Sequence, residues 1–282
     1  MNSQTYAKKA RLLNPIDDDF LKKMAEDILF CQEIIRTILE DDSLTVLESH
    51  AQHTIKNLQG RSVILDILCK SGTGKIINVE VQKGNDVDHQ KRVRYHASCI
   101  TANITDTGSR FQDIPDLCII YISKSDFLGE GKTVYHIDRI IRETGTIVEN
   151  GLQEIYVNAA NKDGSNTSKL MTVFTESDAY DDELFPVTSK RKRYFKEDQK
   201  GVAEMCAIMD EIREEGRLEG KLEGKLEGIL EGKEEGKFEM KLEVAENLLK
   251  MGLSITKVIQ ATKLPLETVQ SMAERLSHYL SV

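Results

Sequence analysis

Two carboxylates stand where aliphatic side chains would be expected. Asp66 lies between Leu65 and Ile67, and Glu80 lies between Val79 and Val81. A lone carboxylate among aliphatics is strongly unfavourable unless it is paired, protonated or bound to a cation. Gln82 follows Glu80 at i+2, so on an extended strand both side chains point to one face. Two such acids on neighbouring strands suggest a metal site, and a basic helix just downstream would meet the phosphates that the site works on. The competing reading is that internal Lys or Arg partners satisfy both acids.

The elements that must position these residues follow from periodicity. Residues 63–69 and 76–81 are apolar runs rich in Val and Ile, and they flank Ser71-Gly72-Thr73-Gly74, which predicts a β-hairpin. Upstream, Asp17-Asp18-Asp19 precedes a helix-spaced pattern over 20–39 that includes Phe20, Met24, Ile28, Ile34, Ile35 and Ile38. Acids at a helix start favour the positive end of its dipole and cap free N–H groups; the alternative is that one of them, Asp17, faces the Asp66–Glu80 pair. Downstream, residues 89–104 read as a helix carrying Lys91, Arg92 and Arg94 just after the acidic strand. That basic run is either a solvated face or a surface for phosphates. Residues 115–122 form a continuous apolar run, expected as a strand buried on both faces at the centre of a sheet. Residues 134–141 and 153–157 suggest further strands, and the mixed stretches 44–48 and 52–57 read as strands or connectors. The run Ser189-Lys190-Arg191-Lys192-Arg193-Tyr194-Phe195-Lys196 could hold phosphate or bases, or be a solvated loop.

The chain has 282 residues and a net charge of −9. That length suits one good core plus an appendage, and the charge excludes nucleic-acid binding by bulk attraction, leaving local basic patches. The five cysteines are widely spaced, with no Cys-x-x-Cys pair. A structural zinc is not expected, and reduced buried thiols suit a reducing cytoplasm. The N-terminal residues lack the apolar segment of a signal peptide, and no stretch approaches the length of a membrane span.

From 215 to 239 the sequence repeats with period four, placing Gly at 216, 220, 224, 228, 232 and 236. Four helical residues advance about 400°, so Leu218, Leu222, Leu226 and Leu230 make a slanting apolar ridge. Each glycine weakens a helix by up to about 1 kcal/mol relative to Ala, so an isolated helix here would be marginal. The reading is an exposed stalk that a second copy stabilises, giving a homo-oligomer. After it, 245–251 reads as a helix stopped at Gly252, 255–261 as a short helix, and Leu264-Pro265 as the start of another. The last two resemble a helix-turn-helix, although small helical hairpins commonly pack on themselves. The expected domains are 1–200, a stalk over 201–242 and a helical tail over 243–282.

Taken in order, these motifs resemble the PD-(D/E)XK nuclease core, and more narrowly the Rpn family of recombination-promoting nucleases, also described as transposases. Asp17-x-x-Phe20 after Asn14-Pro15 is similar to the family's opening Asp-x-x-Phe-Lys. Asp66-Ile67-Leu68 is similar to its strand Asp, Asn78-Val79-Glu80-Val81-Gln82 to its Ile-Glu-x-Gln strand, and Arg94-Tyr95-His96 to its Arg-Tyr-Tyr helix. The Glu-Gly-Lys repeat and helical tail also resemble the family's ending. The resemblance implies an α/β fold with a mixed sheet flanked by helices. It implies a Mg²⁺-dependent endonuclease acting on double-stranded DNA. Asp66 and Glu80 would hold the metal, Gln82 would orient water, Asp17 would complete the acidic site, and Lys91, Arg92 and Arg94 would hold the DNA backbone. Two departures stand out. The family's Phe-Lys is here Phe20-Leu21, and the wider superfamily has a lysine where this chain has Gln82. An amide can orient water but supplies no charge. The alternative function is a degenerate nuclease fold serving as a DNA-binding or assembly module.

Overall fold

The acid triplet opens a shorter helix than the apolar spacing predicts. In the computed structural model, which describes residues 11–56, 60–84 and 88–279, helix α1 (Asp18–Met24) stops and α2 (Ile28–Leu39) starts afresh. The single helix expected over 20–39 is broken because Asp27 acts as a cap, its Oδ1 accepting from Leu29 N at 2.9 Å. A short acidic side chain offers the backbone a local partner that competes with helix continuation.

The stretches 44–48 and 52–57 belong largely to one strand, β1 (Val46–Ile55), with residue 57 outside the described part. The predicted hairpin is β2 (Val63–Ser71) and β3 (Ile76–Gln82). Gly74 sits in its turn at φ 87, a left-handed conformation that side-chain-bearing residues resist. Helix α3 (His89–Ile104) follows, then β4 (Leu117–Ser123), β5 (Val134–Ile137) and β6 (Leu152–Asn158). The strand expected over 134–141 ends at Ile137, and only an isolated bridge joins Ile140 to Ile147 beyond it.

Together the strands make a six-stranded sheet of order β1-β2-β3-β4-β6-β5. β1, β2 and β3 are antiparallel, β3, β4 and β6 are parallel, and β5 returns antiparallel. A parallel β3–β4 pair needs a crossover, and α3 supplies it. β4 is buried along its whole length, as a central strand covered on both faces must be. On one face α3 packs Val93, Ala97 and Ile100 with Leu117, Ile119 and Tyr121.

Helices α4 (Asn166–Thr175) and α5 (Pro186–Glu197) pack with α2 and complete the layer that meets β1 and β2. The basic run 189–196 lies within α5 and is turned largely inward. Lys192 is fully buried, and its Nζ donates to Val173 O at 2.8 Å, Ala179 O at 2.9 Å and Glu176 O. Lys196 Nζ donates to Leu13 O and to Asn14 Oδ1, each at 2.9 Å. These lysines cap the end of α4 and tie down the N-terminal segment, so they are not a phosphate surface.

The chain divides at residue 210 into two compact units, with the 52-residue helix α6 (Gln199–Lys250) running through the division. The helix expected over 245–251 is the end of α6. In the second unit, α7 (Ile255–Thr262) and α8 (Leu266–Tyr279) pack against that end through Ala245, Val258, Leu264, Val269 and Met272. Among the described residues, no helix is long and apolar enough to cross a membrane.

Candidate active site

The β2–β3 ladder runs from Lys70↔Ile76 to Ile67↔Val79. Where the next pair would fall, side chains replace the ladder. Val81 N donates to Asp66 Oδ2 at 2.9 Å, and Asp66 N lies 3.4 Å from Glu80 Oε1. The two acids that look misplaced in the sequence are thus brought together at the point where the strands part. Glu80 is only 5% exposed. Asn78, on the same strand face and fully buried, holds it: Nδ2 donates to Glu80 Oε1 at 2.8 Å and to Ile67 O at 3.0 Å. From α3, His96 Nδ1 reaches within 3.4 Å of the same Oε1, in ion-pair range but without hydrogen-bond alignment.

Burial pushes the Asp66 carboxyl well above the usual carboxylate range, and the charges of Glu80 and Asp18 add to the rise. The Val81 N–H and the Arg92 charge act the other way. Asp18 is raised too, by desolvation first and then by Asp19, Asp17 and Glu80. The Asp18 carboxylate is thus within electrostatic reach of Asp66 and Glu80. Asp17 meets the residue that follows Gln82: its Oδ2 accepts from Asn14 N at 2.8 Å and its Oδ1 pairs with Lys83. Lys196 holds Asn14 in turn, so α5 fixes the corner from which α1 starts.

The three basic residues of α3 separate. Arg92 turns inward, and its Nη1 donates to Gln82 Oε1 at 2.9 Å. Lys91 and Arg94, three residues apart on one helix face, are exposed. The carbonyl end of the Gln82 amide is thereby turned to a guanidinium, which brings to the site the positive charge that Gln82 itself lacks.

A hard cation fits this chemistry. The donors are oxygens, and the carboxylates crowd one another without enough fixed positive charge to offset them. Among the described residues, no group of three or more His, Cys, Asp or Glu converges as a self-sufficient metal cluster. The site offers the pair Asp66 and Glu80, and the rest of a coordination shell would come from the main chain, water or substrate. Sequence reading alone missed Asn78 and His96. Both carried a signal: Asn78 is polar at i−2 from Glu80 within an apolar run, and His96 falls one helical turn beyond Arg92.

A mixed sheet with an antiparallel hairpin, flanked by helices, is the arrangement that the PD-(D/E)XK resemblance implies. The family model described as PD-(D/E)XK nuclease family transposase matches residues 22–178, more than half of the chain, and the chain belongs to that family. A comparison with curated proteins finds no match, and a comparison with solved structures finds none either.

Proposed function

We propose that the protein is a Mg²⁺-dependent DNA endonuclease that hydrolyses phosphodiester bonds, with Mn²⁺ able to substitute. The observation that carries this reading is the meeting of Asp66 and Glu80 beside Asp18, with the Asp66 carboxyl held above its usual range. Asp66 and Glu80 would hold the cation, with the Val81 carbonyl as a further ligand. When bound, the cation supplies Lewis acidity at a phosphate oxygen and lowers the pKa of attacking water. Asn78 keeps Glu80 in one rotamer. Gln82, oriented by Arg92, positions the water, and Asp18 completes the acidic rim in the role expected of Asp17. Lys91 and Arg94 meet the DNA backbone.

The family's description as a transposase supports a link to recombination or mobile elements, and the free cysteines suit a reducing cytoplasm. The proposed division is a nuclease-like domain over 1–200, a stalk over 201–242 and a helical tail over 243–282. The stalk would join two copies. Leu218, Leu222 and Leu230 are exposed along α6, and a side chain added at Gly220, Gly224 or Gly228 would meet nothing within 4 Å.

Purified protein incubated with supercoiled plasmid in Mg²⁺, Mn²⁺ or EDTA tests the activity. Metal-dependent nicking that disappears in Asp66→Ala and Glu80→Ala is the expected result. Nicking that survives Asp66→Ala sinks the site assignment. A well-folded wild type that cuts with neither metal leaves the chain a DNA-binding or assembly module instead.

A further inference from the structure

Strand β1 changes face part-way along. Ser49, in its first half, donates from Oγ to Ala25 O at 3.3 Å and lies 3.2 Å from Cys31 Sγ on α2. Ile55, six residues on, packs in the cluster under α3. An even spacing keeps two side chains on one face of a regular strand, so the alternation slips between them. His50 and His53 locate the slip. They are three apart, yet their ring centroids lie only 5.9 Å from each other. Gln52 stands inside that interval at φ 53, a left-handed conformation that is uncommon for a residue with a side chain.

Strand β2 slips at the matching position. Leu65 and Leu68 are also three apart, and both pack in the α3 cluster. The β1–β2 register pairs Ala51 with Ile67 and His53 with Leu65, so the residue opposite Gln52 is Asp66, and the rung between these pairs is missing. On the other side the β2–β3 ladder ends at Ile67↔Val79, one residue short of Asp66. Asp66 thus stands out of both ladders, and its carboxylate crosses the gap to accept from Val81 N at 2.9 Å beside Glu80. A local break in alternation on one strand re-aims the side chain opposite it.

We infer that Gln52 is a positioning residue for the proposed metal site: its left-handed backbone sets the slip that turns Asp66 toward Glu80 and the main chain of β3. Strained backbone persists where its surroundings over-determine it. Here the anchors are Ser49 against α2 and Ile55 under α3, which draw the two halves of β1 to different helices. β1 is also an edge strand, so the strained residue disturbs one neighbouring strand and not two. The inference deepens the nuclease reading and rests on it for the metal, while the aim of Asp66 is tested without metal or DNA.

Full-length Gln52→Val and Gln52→Gly are compared with wild type. Valine favours strands and resists the left-handed region, so it should restore regular alternation to β1 in a folded chain. Glycine takes the left-handed conformation without penalty from a side chain. The first readout is amide hydrogen exchange by NMR in EDTA. Gln52→Val should lose protection at the Val81 N–H while the amides of central strand β4 keep theirs, and Gln52→Gly should keep both. The second readout is Mn²⁺ affinity without DNA, from the electron paramagnetic resonance of the free ion. Gln52→Val should bind about ten-fold to a hundred-fold more weakly, the range for residues that orient metal ligands, and Gln52→Gly as tightly as wild type. Gln52→Thr gives the same contrast where the valine variant fails to fold. Wild-type Val81 protection in the β-branched variants overturns the inference, as does a loss shared equally by β4. An equal loss in Gln52→Gly overturns it too, because the effect would then belong to the amide side chain. Lost Val81 protection with wild-type Mn²⁺ affinity overturns the link to the metal. Asp66-dependent nicking with unchanged Val81 exchange would remove the role of Gln52 and keep the nuclease. A selective loss at Val81 in a protein that nicks with neither metal would keep the positioning and remove the nuclease.

Discussion

Asp66→Asn should make the metal-free protein more stable while removing its activity. The substitution keeps an acceptor for Val81 N–H, now at 2.9 Å from Oδ2, and deletes one charge beside Glu80. Unit charges 4 Å apart interact by about 4 kcal/mol at an effective dielectric of 20. Asp66 N lies 3.4 Å from Glu80 Oε1, so the two carboxylates are neighbours, with Arg92 partly offsetting their repulsion. A net relief of ~1–2 kcal/mol corresponds to a rise in Tm of about 2–8 °C for a unit of this size. The sign with pH follows from the raised carboxyl. A folded-state pKa above the unfolded value leaves the group without penalty below the unfolded pKa, and the penalty grows as pH rises through the folded pKa. The advantage of Asp66→Asn should therefore be present at pH 8 and absent below about pH 4. Mg²⁺ should reverse the order, since a ligand at a hundred times its Kd stabilises by about 2.7 kcal/mol and the variant lacks half of the carboxylate pair. Differential scanning calorimetry in EDTA and in Mg²⁺, at pH 4 and pH 8, reads all four cells. An Asp66→Asn protein less stable than wild type in EDTA at pH 8 would refute the reasoning, as would equal metal stabilisation of both proteins.

Three further outcomes are expected. Asn78→Leu should lower nicking by roughly ten-fold to a hundred-fold, because Glu80 loses a buried hydrogen bond to a charged group, worth about 1.5–3 kcal/mol; undiminished nicking in a plasmid assay would remove Asn78 from the site. Lys192→Met leaves three carbonyls without their donor and should lower stability by about 3 kcal/mol, or ~6–12 °C in Tm. Gly201→Ala should destabilise although alanine ordinarily favours a helix, because its Cβ would lie 2.1 Å from Tyr194 O; Gly224→Ala, with nothing within 4 Å, should raise helicity by circular dichroism if α6 stands alone.

Much of the site was legible because burial and charge contradict each other in the sequence. An acid inside an apolar run marks a strand that must satisfy it, and both Asp66 and Glu80 announced themselves that way. The hairpin, the central strand and the bounds of α3 followed from periodicity. What the sequence hid was orientation. Three successive aspartates look alike in one dimension, and the corner that Lys83, Asn14 and Lys196 build around Asp17 joins segments far apart along the chain. The basic run in α5 misled for a related reason. Lysines buried by long-range carbonyl acceptors have the same local pattern as lysines on a surface, and the acceptors lie in segments distant along the chain. Asp27 likewise hid a helix break, because a capping acid and a solvent-facing helical acid read alike until the backbone around them is fixed.

The contacts between Lys196 and the segment at residues 13 and 14 join positions separated by 183 and 182 residues. Arg191, nearby on the same helix, also closes the end of α1 through Met24 O at 2.8 Å. The acid at the start of α1 is thus held by an element that leaves the ribosome only after all six strands have been made. A growing chain would carry the Asp66–Glu80 hairpin long before it could set Asp18 beside it. On the proposed nuclease reading, the acidic rim would be complete only when the two ends of the first unit meet. A chain ending at residue 178, where the family match stops, would lack α5 and so the clasp on residues 13 and 14.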